Sequence, residues 1–452
     1  MPTPPAPPLL SGFGRADLTP DTPCFLAGYP HVVRTATGLH DPLLASALVL
    51  ESAGTRVALV SIDWLFVSAE WVRLCRERVA SATGIPARAV LIAATHTHSG
   101  PLTAEVLAWR EDPVVPPPDP DYLEESLRRV TEAVAEAVRS LRPADARWVR
   151  ADVAGIAGGN RIDPRGAEDP EAGLLVLRDA GGGPVRQLLT VYGMHPTVLH
   201  EDSTLYSSDF IHYTRDHLEH AFPGARVVYL NGVCGNQSPR RVVRGQTFAE
   251  AERIGVALGE KMAEAIRTAP PVSTGGGFEI GVLSAGLSLR GKRFPDPGTA
   301  REKLEAARRR EQCLRASGAG HAEVRTAECT VFGAEEVYTL AKAEAEGAVE
   351  ALRQRYAQAE VQVIRLGPCA VTAWPGEFFA EYALSLKEAS PLPVFPVSLA
   401  NGELQGYVVT PEAEAAEGYE AQMSLFPAET GGAFVRETLR LLYRLTGLPD
   451  QM

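Results

Sequence analysis

Lysine is nearly missing from this 452-residue chain, which has five of them against thirty-nine arginines. Both side chains carry one positive charge, so the bias by itself assigns no function. Positive charge is scarce overall: 44 Lys and Arg face 56 Asp and Glu, and the formal net charge is −12. That balance leaves no basic stripe, which excludes nucleic acid as an expected partner. Long apolar runs are absent too. None approaches the ~18 residues a membrane helix needs, so no stable membrane insertion is expected. The opening Met1-Pro2-Thr3-Pro4-Pro5 has no positive charge and leads into no apolar signal-peptide core, so a cytoplasmic location is expected. Cysteines number six, and no two stand in C-x-x-C spacing. A zinc ribbon or a disulfide framework is therefore not expected. What remains is ordinary for a globular protein: 45% apolar and 22% charged residues. The length allows one large domain or two to three smaller ones.

Apolar patterning alternates between strand and helix along the chain. Residues 1–10 are proline-rich and read as a loose arm. Residues 45–51 and 56–63 read as strands around a Ser52-Ala53-Gly54-Thr55 turn. Residues 69–82 have helical spacing, and 89–94 form a continuous apolar run, the mark of a strand buried on both faces. Further helices are expected at 122–141, 210–221 and 248–267. Further strands are expected at 173–177, 185–192, 227–230, 361–366, 370–374 and 394–399. From about 278 to 366 the chain changes character, with long segments rich in Ala, Glu and Arg. Two helical segments there, 299–316 and 335–359, predict a solvated hairpin standing on the sheet. The whole predicts an α/β fold, a mixed β-sheet core layered with helices.

Five segments carry chemistry. In Ala94-Thr95-His96-Thr97-His98-Ser99-Gly100-Pro101 a buried strand delivers two histidines and then breaks. Strand alternation puts His96 and His98 on one face, where they suit a metal pair or a ligand with a proton-transfer group. In Tyr192-Gly193-Met194-His195-Pro196-Thr197 a second apolar strand ends in histidine, with Ser208-Asp209 behind it. Asn231-Gly232-Val233-Cys234-Gly235-Asn236-Gln237-Ser238-Pro239 is a glycine-punctuated turn able to display N–H groups to an anion. Trp374-Pro375-Gly376-Glu377-Phe378 reads as the start of a helix with Glu377 near its positive end. The fifth segment runs from Asn401-Gly402 to Gly406-Tyr407, with Gly418-Tyr419-Glu420 after it.

These ordered segments resemble the neutral (non-lysosomal) ceramidases and their bacterial ceramidase-like relatives. The resemblance runs from Gly12-Phe13-Gly14-Arg15 to about Glu420. It implies a zinc amidohydrolase of lipid metabolism that cleaves an N-acyl bond with metal-activated water. Carried over by position, His96, His195, Glu377 and Tyr407 are the implied Zn2+ ligands, with Tyr419 the other candidate for the tyrosine. His98 is implied to contact substrate beside the metal, and Arg161, in Gly159-Asn160-Arg161, to face the site. Ser238 falls where the family has a serine, as nucleophile or as substrate contact. Asp63 and Asp209 match acidic positions and are expected to fix the ligand imidazoles.

Three features depart from the family pattern. Asn236 replaces the aspartate of a G-D-x-S-P turn. The chain ends at Met452, so residues 1–452 are expected to form a single catalytic domain with 298–359 inserted and no C-terminal immunoglobulin-like domain. An export signal is not found. The expected partner is accordingly a small-molecule or lipid-like N-acyl substrate, and a homo-oligomer is compatible with the chain. Hydrolysis of a soluble ester, lactone or sugar-derived substrate, a metal-dependent phosphatase, and an inactive zinc-binding protein remain as alternatives.

Overall fold

The computed structural model describes residues 8–271, 277–356 and 358–449. Most of the expected loose arm lies outside them, and Leu10 already belongs to a strand. Eight strands form one mixed sheet in the spatial order Arg226–Asn231, Val185–Tyr192, Glu171–Asp179, Arg142–Asp152, Leu10–Asp17, Leu44–Ser52, Thr55–Ile62, Val90–Ala94. Neighbours run antiparallel except at the two ends, where the outermost strand on each side lies parallel to its neighbour. Residues Leu44–Ser52 and Thr55–Ile62 form a hairpin whose turn residues, Ala53 and Gly54, both take positive φ (50° and 79°). That is the turn geometry that matches the twist of two paired strands.

In the middle of the sheet only Leu10 and Ser11 pair with Pro143 and Arg142. The sheet folds there, and its two ends meet. Ser61 Oγ donates to the Tyr229 carbonyl at 2.5 Å, and Asn231 Nδ2 donates to the Thr95 carbonyl at 3.1 Å. The carboxyl ends of both parallel edge strands are thereby brought side by side, the place where α/β sheets hold ligands.

A second sheet has the order Ile280–Leu287, Ala359–Leu366, Cys369–Ala373, Val394–Val397. Ile364, Val371 and Phe395 join the core of the first sheet. Val361 and Val363 face the other way, against Phe434 and Leu442 of the C-terminal helix Glu429–Thr446. Trp148 fastens the two sheets: its ring stacks on Phe395 at 4.9 Å and its indole N–H donates to the Leu366 carbonyl at 2.8 Å. Helices cover the outer faces. Val130 and Val134 of Pro120–Arg139 pack in the core that holds Leu48. Ile254 and Leu258 of Phe248–Thr268 pack in the core that holds Val149 and Val176. The expected α/β architecture is present. Among the described residues no helix is long and apolar enough to cross a membrane.

Within these two sheets, three strands lie outside the expected set: Leu10–Asp17, Arg142–Asp152 and Ile280–Leu287. Gly12 and Gly14 weaken the strand pattern in the first, yet a Cβ at either would strike the Ala137 or Ala133 carbonyl of the helix above. Glycine is there to let helix and strand approach closely. Polar residues interleave the apolar ones in Arg142–Asp152, which is partly exposed on one face.

The helices expected at 299–316 and 335–359 differ from expectation. Pro297–Ala316 and His321–Ala345 pack together around Leu304, Val331 and Ala334. The second helix begins well before residue 335 and stops at Glu346-Gly347, where Gly347 takes φ 80°. It is also no free-standing element, because it packs on the Leu107–Trp109 turn and on the short helix Tyr419–Met423.

Candidate metal centre

Strand Val90–Ala94 ends one residue before Thr95, and His96 leaves extended geometry altogether with φ 71°. Strand alternation therefore does not place His96 and His98. A non-glycine residue in this region costs about 1–3 kcal/mol and persists only where its surroundings enforce it. Here the Thr95 and His96 amides donate to the carbonyls of Ile62 and Trp64, both at 2.8 Å. The His96 Nδ1 faces the Leu65 carbonyl at 3.0 Å. His195 follows strand Val185–Tyr192 and is held in the same manner, with Nδ1 at 2.7 Å from the Cys234 carbonyl and 3.2 Å from that of Gln237.

A carbonyl can only accept, so the Nδ1 of each ring carries the proton and Nε2 presents a lone pair. Those two Nε2 atoms are 3.2 Å apart. Glu377 Oε2 lies 3.1 Å from the His195 Nε2 and 3.3 Å from the His96 Nε2. All three side chains are buried. Burial, and then the Arg161 charge, lowers His195 to about 4, so this contact is not an ordinary salt bridge at neutral pH. Burial would raise Glu377, but His96 and His195 hold it well below the usual carboxylate range. Three acceptors thus converge on one point with no proton between them, and a cation relieves their repulsion. Ligands at zinc bond lengths in tetrahedral array lie about 3.3 Å apart, which these spacings match. Two imidazoles and a carboxylate form a donor set suited to zinc.

Glu377 does not open a helix, as the sequence had suggested. It lies on the three-residue strand Gly376–Phe378, parallel to Leu404–Val408, and its register partner is Tyr407. The Tyr407 ring is 6.5 Å from that of His195. Tyr419 stands one ring further out, 6.2 Å from Tyr407. Burial pushes the Tyr407 phenol well above its ordinary value, with Arg161 opposing. The Arg161 guanidinium lies over the Tyr407 ring at 5.1 Å, its Nε donates to Glu420 at 2.8 Å, and its Nη2 is buried without a partner.

His98 completes the cluster. Among the described residues His96, His98 and His195 have ring nitrogens within 4.8 Å of one another, close enough for a metal. Neither nitrogen of His98 has a hydrogen-bond partner. Burial, then His96 and His195, holds it well below its ordinary value. Buried Arg34 positions its backbone by donating to the His98 carbonyl at 2.9 Å. Gly28, at φ 107°, lets the chain pass: a Cβ there would sit 2.3 Å from the His98 Nδ1.

The two aspartates do other work than orienting imidazoles, which main-chain carbonyls already hold. Asp63 takes a bidentate pair of hydrogen bonds from Arg215 (3.0 and 2.7 Å) and one from the Thr95 hydroxyl at 3.1 Å. Asp209 has φ 59°, and its carboxylate accepts the Leu199 and Phe210 amides at 2.7 and 2.6 Å. It shapes the loop between His195 and helix Phe210–Ala221. Ser238 caps a 3-10 turn, its Oγ accepting the Arg240 amide at 3.4 Å. Asn236 accepts the Ala380 amide at 2.8 Å and donates to Glu381 at 2.9 Å. The amide is what Glu381 requires, because an aspartate would place two carboxylates in contact.

The fold and the site together define an α/β protein with a buried histidine and carboxylate cluster fit to hold a metal ion. A family model described as "Neutral/alkaline non-lysosomal ceramidase, N-terminal" matches residues 9–235, and the chain belongs to that family. Two solved structures share the fold. One, described as "Ceramidase complexed with C2", has a TM-score of 0.76 at 19% identity. The other, the neutral ceramidase from Pseudomonas aeruginosa, has a TM-score of 0.75 at 21% identity. Each match covers 99% of this chain and 76% of the other. The carbonyls of Leu65, Cys234 and Gln237 that aim the imidazoles escaped sequence reasoning, since a main-chain acceptor leaves no mark on residue type.

Proposed function

We propose that this protein is a zinc-dependent hydrolase that cleaves an N-acyl amide or a related ester. His96, His195, Glu377 and Tyr407 hold the ion in this reading. The observation that carries it is the convergence of the two Nε2 atoms and Glu377 Oε2 at 3.1–3.3 Å, with both Nδ1 atoms committed to carbonyls. The family, and the name of the Pseudomonas aeruginosa structure, favour a lipid-like N-acyl substrate such as ceramide. A bound zinc supplies Lewis acidity and brings the pKa of water toward neutrality.

The chain's own residues supply the rest. His98 is neutral with both nitrogens open, so it can take a proton and return it to the leaving amine. The open Nη2 of Arg161 is a donor for negative charge developing on the carbonyl oxygen. Ser238 serves as a substrate contact, because its hydroxyl caps a turn and, among the described residues, no histidine hydrogen-bonds to it. Asp209 positions the loop behind His195. The catalytic domain spans the chain, with 298–359 inserted. A cytoplasmic location is part of this reading.

Metal analysis of the purified protein, with assays on an N-acyl amine, a lactone and a phosphate monoester, tests the reading. Zinc near one equivalent and cleavage of the N-acyl amine are expected, and His96→Ala should lose both together. Full activity in that variant after loss of zinc would sink the assignment. Cleavage of the phosphate ester alone would replace it with a phosphatase.

A further inference from the structure

The inserted helices carry a carboxyl group that the metal chemistry does not use. Glu336, in helix His321–Ala345, is 1% exposed. Its Oε1 accepts a hydrogen bond from the Trp109 indole at 3.2 Å, while Oε2 is enclosed and has no partner. Such a buried, unpartnered polar atom is uncommon in a folded protein and calls for a reason. Burial raises the Glu336 carboxyl to about 8, against the Trp109 hydrogen bond and with help from Glu335, Asp112 and Glu377. The group is neutral at pH 7 and can both donate and accept.

Its helix packs on the short helix Tyr419–Met423 beside the candidate site. Gly333 lies one turn earlier on the same helix face, and a Cβ there would meet the Tyr419 ring at 3.5 Å. Tyr419 in turn packs 6.2 Å from Tyr407, the register partner of Glu377. The helix is clamped in this orientation. Phe332 stacks on His31 at 5.1 Å, and His31 lies between Asp112 (2.5 Å) and Glu335 (3.3 Å). Lys342 pairs with Glu111 at 2.7 Å. Three side chains around the cluster therefore keep open polar valences in buried positions: His98, Arg161 and Glu336. The first two suit the reacting carbonyl and the leaving nitrogen. The third, borne by the insertion, suits a part of the substrate that does not react.

We propose that Glu336 is a specificity-determining residue whose open Oε2 hydrogen-bonds a neutral polar group of the substrate on its amine side. This rests on the hydrolase reading above. A neutral carboxylic acid offers no salt bridge, so the insertion selects hydroxyl-type groups over an apolar group of equal size.

The test uses two substrates of equal heavy-atom count, N-dodecanoylethanolamine and N-dodecanoylpropylamine, with the zinc-loaded full chain. Glu336→Leu should lower kcat/KM for the ethanolamide about tenfold or more and leave the propylamide within about twofold. Glu336→Gln, which keeps a donor and an acceptor, should stay near wild type on both. Equal losses on the two substrates, or no loss on either, overturn the proposal. Should Glu336→Leu fail to fold, infrared difference spectra of the wild type decide. The carboxylic-acid band that Glu336→Gln removes should shift when the ethanolamide binds and stay still with the propylamide. A band that moves with neither overturns the contact. A zinc-replete wild type that cleaves neither amide defeats the hydrolase reading instead, and calorimetric comparison of ethanolamide binding to wild type and Glu336→Leu still judges Glu336.

Discussion

Replacing Asp63 by Asn should cost this protein about 3–5 kcal/mol of stability, the range for breaking a buried ion pair from one side. Asp63 is fully buried, and its carboxylate accepts four hydrogen bonds: the Leu44 amide at 2.9 Å, the Thr95 hydroxyl at 3.1 Å, and Arg215 at 3.0 and 2.7 Å. Asn keeps one acceptor and the shape, but it strips the negative charge from beside a guanidinium that is 4% exposed. Arg215 then keeps the Ser208 hydroxyl, at 2.7 Å, and at most one neutral amide oxygen as hydrogen-bond partners. Thr95 precedes His96, so the loosened loop should also weaken zinc binding by about 10–100-fold, the usual effect of losing support behind a ligand. Urea unfolding of Asp63→Asn, Arg215→Met and Asp63→Leu/Arg215→Met provides the measurement. Each single variant should fall by several kcal/mol, and the double should recover most of it because no unpaired charge is left. A loss of under about 1 kcal/mol in Asp63→Asn, or a double variant as unstable as the sum of the singles, refutes the reasoning.

Other consequences can be measured directly. Gly28→Ala should abolish hydrolysis while zinc content stays near wild type, because the new Cβ displaces His98 and leaves His96 and His195 in place. Asn236→Asp should destabilise the protein by about 1–3 kcal/mol above pH 5 by unpairing buried groups, and Glu381→Gln should restore it; thermal melts decide. Asp209 titrates at about 7 because burial outweighs its amide contacts. A raised carboxyl favours the folded state fully below pH 4 and loses that advantage as pH climbs to 7. The wild type should thus lose roughly 4 kcal/mol from this group over that interval, a slope that Asp209→Asn removes.

Much of the architecture can be read from residue order alone, because burial on both faces writes a plain signal. Val90–Ala94 is a continuous apolar run and Val185–Tyr192 a largely apolar segment; each is followed by a break and a histidine, and both proved to be sheet strands feeding the histidine cluster. Other strands are hidden by local demands. Gly12 and Gly14 serve a close helix contact, and Arg142–Asp152 mixes arginine and aspartate into a partly exposed strand. The carboxylate at 377 is legible as a residue, but its place on a strand is not. A three-residue strand has too few positions for a period, and only its partner Leu404–Val408 defines it.

The amino-acid sequence by itself determined the donor types of this site, two histidines and a carboxylate, each at the end of an apolar segment. Side-chain chemistry and local periodicity are properties of the chain, so they need no fold to be seen. Tertiary structure alone decided the geometry. The fold of the sheet at Leu10-Ser11 brings residues 96 and 195 together, Leu65 and Cys234 turn each ring by its Nδ1, and Trp109 meets Glu336 across 227 positions of the chain. These depend on main-chain carbonyls and on contacts distant in sequence, which no local pattern of residue types records.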